Sequence, residues 1–120
     1  MPTILPDLVE PALRASADPL AAELLARLRA DGEELLRARA TRPFSQREAL
    51  RIYRHKAAKG DRPGVRTDGY PTLLAALGEA PSEVIVHGVT FADMVYLVFT
   101  DPDRTHCVGI LRKVRLDRGE

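Results

Sequence analysis

The chain has one cysteine, no tryptophan and only six aromatic rings. Cys107 alone cannot close an intramolecular disulfide. A chain of 120 residues can build a core without such staples, so a reducing, cytoplasmic setting is expected. Six rings leave little for base or sugar stacking, which counts against a single-strand binder built on stacking. The start, Met-Pro-Thr-Ile-Leu-Pro-Asp, lacks the basic region and long apolar stretch of a signal peptide. The longest apolar run, Met94 to Phe99, is strand-length, far below the ~18 residues of a membrane span. No membrane association is expected. The length also excludes an eight-fold barrel or a full dinucleotide-binding fold, and suits a single domain over 1–120. Usage rich in Ala, Arg and Leu suggests a high-GC bacterial genome.

Recognisable catalytic patterns are also missing. His55, His87 and His106 show no zinc-ligand spacing, and there is no HExxH, CxxC, GxSxG or glycine-rich phosphate loop. No metal or cofactor is expected. A Cys107–His87 nucleophile pair across neighbouring strands is conceivable, but Cys107 reads better as a small buried hydrophobe. Asp101 and Asp103 flank a proline and read as turn residues.

Charge, by contrast, is present and unevenly placed. The whole chain carries 18 Lys+Arg against 17 Asp+Glu, a net of +1. Residues 1–34 hold three basic and seven acidic groups, and residues 67–120 hold five and eight. The stretch between them, 37–66, holds ten basic groups and two acidic ones. A near-neutral total thus conceals a strongly basic centre. Such asymmetry points to nucleic acid or an acidic protein partner, unless the basic stretch folds against the chain's own acidic flanks.

Local signals give an α+β order: two to three N-terminal helices, then a three-stranded antiparallel meander. Residues 1–17, with Pro2, Pro6 and Pro11 among apolar residues, read as a proline-rich apolar arm. The helical part runs over 18–80. Asp18-Pro19 is a good helix start, and Leu20, Leu24, Leu25 and Leu28 follow at helical spacing. Strong helix formers from Glu33 to Ala40 extend the prediction to one helix over 19–40, with a weak point at Gly32. Ser45-Gln46-Arg47-Glu48 is a capping box with Phe44 as staple, and Gly60 is the stop. The helix over 45–59 turns Ala49, Leu50, Tyr53 and Ala57 inward and Arg47, Arg51, Arg54 and His55 outward. A turn-rich loop over 60–69 adds Arg62 and Arg66, and 71–77 forms a short apolar helix.

The sheet part spans 82–116, with strands over 83–87, 94–100 and 105–116. A turn at 101–104 would pair Thr100 with Thr105, Tyr96 with Gly109 and Asp93 with Arg112. Both faces of this sheet are apolar, so both need cover; a homodimer supplying one cover is the expectation.

The candidate site is therefore the basic helix and its following loop: Arg47, Arg51, Arg54, His55, Lys59, Arg62 and Arg66. Arginines one turn apart can track phosphates or meet an acidic groove. In outline, the helix pair and hairpin resemble a winged DNA-binding domain, though the helix over 71–77 has no basic or amide side chain with which to read base edges. The architecture is also similar to small toxin-type endoribonucleases. On that alternative His106 would act as acid/base, with Arg112, Lys113 and Arg115 near the phosphate. A third reading is an inhibitor or immunity-type interaction module.

Overall fold

The computed structural model of the chain describes residues 10–30, 35–80 and 82–116. A helical segment over 10–14 leads to α1 (Pro19–Ala30). Then follow β1 (Leu35–Ser45), α2 (Gln46–Lys59), β2 (Val65–Asp68), α3 (Tyr70–Leu77), β3 (Glu83–Phe91), β4 (Met94–Thr100) and β5 (Cys107–Arg115). The fold is α+β as expected, but the sheet has five strands, in the order β1-β3-β4-β5-β2, and every neighbouring pair is antiparallel. With the segment over 10–14, the described residues contain four helices rather than two to three.

The two added strands come from segments read as helix and loop. Leu35 to Ala40 consists of good helix formers, yet it pairs with β3, with Ala38 opposite Val89 and Arg39 opposite Gly88. Pairing with a buried central strand overrides a propensity difference of a few tenths of a kcal/mol per residue. β2 is only four residues long and hides among turn residues; it pairs Thr67 with Lys113 and Asp68 with Arg112. The expected weak point at Asp31-Gly32 and the arm before residue 10 lie outside the described residues.

Local capping follows the sequence. Asp18 Oδ1 accepts from Leu20 N at 2.9 Å, and Ser45 Oγ accepts from Glu48 N at 3.0 Å. The β4–β5 turn is tied by Asp101, whose Oδ1 accepts from Thr105 N and His106 N. The strand register beyond it differs from the expectation. Thr100 stands opposite Cys107 and Phe99 opposite Gly109, so Val108 is an extra residue, a bulge. The bulge exchanges the faces of Ile110 and Leu111. Together with a turn two residues longer than expected, it sets Arg112, not Gly109, opposite Tyr96.

Both sheet faces carry helices of the chain itself. On one face Leu13, Ala21 and Leu24 from the N-terminal helices pack on Val89, Phe91, Tyr96, Val98 and Ile110. On the other, Ala49, Leu73 and Leu77 from α2 and α3 pack on Val84, Val86, Phe99 and Leu111. Full burial of a leucine such as Leu24 contributes about 1.5–3 kcal/mol. Of the two expected ways to cover an apolar sheet, the chain's own helices thus supply cover on each side. Gly109 permits the close approach of α3: a Cβ there would stand 2.7 Å from Leu73 Cδ1. Gly69, at φ +107°, starts α3 with its Cα facing the Ile110 carbonyl, where no side chain fits.

Among the described residues, no helix is long and apolar enough to cross a membrane.

Candidate polyanion-binding face

α2 lies on the sheet face opposite α1. Its inner side buries Ala49 and sets Tyr53 edge-on to Phe99, with centroids 4.9 Å apart. That burial leaves two polar flanks. On the outer flank Arg47, Arg51 and Arg54 are exposed and, with Gln46 and Leu50, line a shallow groove. Sequence spacing placed these three together, and the structure keeps them together. His55 is exposed on the same helix.

The other flank faces the sheet. Here Lys56 and Lys59 meet Arg62 from the loop after α2 and Lys113 from β5, around a cleft of about 460 Å³. Thr67 and Tyr70 also line it, as does one carboxylate, Asp61, whose Oδ2 accepts from Thr67 N at 3.1 Å. Lys113 is partly buried on the strand. Burial, then the charges of Lys56 and Arg62, hold its ammonium below the usual lysine range. Burial, followed by the charge of Asp61, pushes the Tyr70 hydroxyl up. Four cations converging around one carboxylate repel one another, and an anion in the cleft would relieve that repulsion.

A second groove opens on the same face, over the part of the sheet that α2 and α3 leave bare. Arg37, Arg39 and Thr41 of β1 form its rim, and Gly88, Val95 and Leu97 lie in its floor. Sequence reasoning missed Lys56, Arg37 and Arg39. A helix over 19–40 would splay residues 37 and 39 apart, whereas a strand puts them on one face. The signal was available: Arg37, Ala38, Arg39, Ala40, Thr41 alternates with period two.

Arg66 does not join this face. Its Nε donates to Asp68 Oδ1 at 3.2 Å on the α1 side of the sheet. Asp68 Oδ2 also accepts from Arg112 Nη2 at 2.8 Å, and Arg112 Nη1 donates to Glu23 Oε1 at 2.6 Å. Tyr96 donates its hydroxyl to the same Glu23 carboxylate. The bond from Arg112 lowers the Asp68 pKa; burial opposes this, and the charges of Arg66 and Arg112 add to it. Burial pushes Glu23 up, but the bonds from Tyr96 and Arg112 and the nearby guanidinium charges together hold it below its usual range. Asp93 bonds Arg27, not the expected Arg112.

The alternative nuclease residues are dispersed. His106 is exposed in the β4–β5 turn, with Nδ1 3.2 Å from Asp101 Oδ2. Arg112 lies six residues along, roughly 20 Å at strand rise, on the α1 side. Lys113 points to the opposite face. Cys107 and His87 are not paired either. His87 Nε2 sits 2.9 Å from Thr100 Oγ1, and burial pushes the Cys107 thiol up to about 11, where it is unreactive at neutral pH.

No family model, curated protein or solved structure matches the chain.

Proposed function

We propose that this protein binds a polyanion of the nucleic-acid type, with α2 as its principal contact. One observation carries the reading: the cationic flanks of α2 stand exposed on the sheet face away from α1. The acidic group of α1 that could have neutralised them, Glu23, is engaged with Arg112 and Tyr96 on the other side. Guanidinium groups one helical turn apart suit successive phosphates. α3 carries no amide or basic side chain, and arginines spaced along α2 suit contacts to the phosphate backbone, which carry little sequence preference.

The test is fluorescence anisotropy with labelled DNA and RNA over a salt series. Arg47→Glu combined with Arg51→Glu should weaken binding at least tenfold, with circular dichroism unchanged. Affinity of the parent should fall steeply with salt. A parent protein that binds neither DNA nor RNA, or whose binding does not respond to salt, overturns the proposal. Binding only to an acidic protein would transfer the same face to a different partner and equally refute it.

A further inference from the structure

The two grooves on the α2 side of the sheet are connected by strand register. Arg37 of β1 stands opposite Thr90 of β3, Thr90 opposite Val95 of β4, Val95 opposite Lys113 of β5, and Lys113 opposite Thr67 of β2. One cross-strand row therefore crosses all five strands. It begins at an exposed arginine, passes a hydroxyl and a small apolar side chain, and ends beside Lys113, Lys56 and Arg62. Neighbouring strands lie about 4.8 Å apart, so Arg37 and Lys113 are separated by about 14 Å along the row, the length of a few nucleotides. The next row, Arg39, Gly88 and Leu97, carries a second arginine at the same rim and a bare backbone at its centre.

We infer that this row is the seat of a single nucleic-acid strand, held by its phosphates between Arg37 and Arg39 at one end and the Lys56, Arg62 and Lys113 cluster at the other. The inference rests on the polyanion reading above and deepens it by naming the form of the polymer. Cations at both ends of an uncharged strip match a chain with anions at regular intervals. Lys113 sits within a cleft walled by the end of α2 and its following loop. A duplex is a stiff rod that would ride on the rim, while a flexible strand can reach the cleft floor. Thr90 supplies a hydroxyl between the charged ends, and Gly88 keeps the floor low. Recognition of this kind uses phosphates and needs no array of aromatic platforms, in keeping with the few rings in the chain.

Anisotropy with labelled twelve-nucleotide oligothymidylate, oligouridylate and a duplex of equal length tests this at low salt. The parent should bind a single strand at least tenfold tighter than the duplex; the tighter of the two homopolymers identifies DNA or RNA as the source. Arg37→Gln with Lys113→Gln should lower single-strand affinity tenfold or more. It should also reduce the slope of log affinity against log salt by about 1.4, two contacts at ~0.7 each. Gly88→Leu leaves the charge unchanged and places a side chain on the groove floor; a Cβ there meets Leu97 Cδ2 at an ordinary 3.9 Å. It should weaken single-strand binding as well. Amide chemical shifts of the unmodified protein give a readout free of folding effects. Movement at Gly88, Thr90 and Val95 on adding oligothymidylate supports the row. Equal or tighter duplex binding, unchanged affinity in the Arg37/Lys113 variant, or shifts confined to residues 46–54 overturns it. Those results leave the polyanion reading standing, whereas no binding to any of the three probes removes both.

Discussion

Replacing Arg112 with methionine isolates the contribution of the clamp between α1 and the β5–β2 edge. The guanidinium holds two carboxylates from different elements, with Nη1 on both Glu23 oxygens and Nε and Nη2 on Asp68 Oδ2. Hydrogen bonds to charged groups contribute about 1.5–3 kcal/mol when well shielded, and breaking a buried pair costs about 3–5 kcal/mol. This cluster is only partly shielded. The Arg112 side chain is 23% exposed, Asp68 31% and Glu23 39%, so solvent screening reduces the figure. A loss of about 2–3 kcal/mol is expected at pH 7, read as a lower urea midpoint with unchanged slope. The two carboxyls are held below their unfolded values of ~4.3 for Glu and ~3.9 for Asp. Their contribution is therefore complete above that range and drains away as pH falls through the lower, folded values. The gap between parent and variant should accordingly narrow below about pH 4. A gap that stays constant from neutral to acid pH would show that Arg112 acts through its aliphatic stem and not its charge, and the clamp argument would fail.

Two further outcomes follow from buried or capping groups. His87 is buried, and burial together with the charge of Arg104 lowers its pKa to about 4. The unfolded imidazole takes up its proton near ~6.5, so this group removes stability between about pH 6.5 and 4, at up to ~1.4 kcal/mol per pH unit. Urea midpoints measured across that window should flatten in His87→Leu; an unaltered profile would show that His87 is not the titrating group. Ser45→Ala removes the acceptor for Glu48 N and should cost about 1 kcal/mol in thermal or urea unfolding. An unchanged midpoint would mean that water replaces the cap.

The parts of the fold legible in the sequence were those set by short-range chemistry. The Ser45 cap, the Asp18 start and the apolar run of β4 each depend on a few adjacent residues and stand where the pattern placed them, whereas β3 runs on to Phe91, past the expected end at residue 87, and the turn at Asp101 is two residues longer than expected. What escaped depends on partners distant along the chain. β1 looks helical until β3 is beside it, and β2 is too short to show a period. The Val108 bulge leaves no mark in composition, yet it decides which face Ile110 and Leu111 occupy. The candidate site divides in the same way. Arg47, Arg51 and Arg54 were readable because one helix carries all three. Lys56, Lys113, Arg37 and Arg39 come together only through tertiary pairing. Arg66 was misplaced because its strand partner fixes the face on which it emerges.

The rim of the sheet has a further consequence. β1 is an end strand of eleven residues, long enough to template the addition of a strand from another molecule. Its ladder breaks register twice, Pro43 withholds a donor, and Arg37, Arg39 and Arg42 set like charges along it. Two copies brought edge to edge would oppose arginine to arginine. Substitutions that remove these charges should therefore be monitored for self-association over time as well as for ligand affinity, because the side chains at the groove rim also guard the protein's solubility.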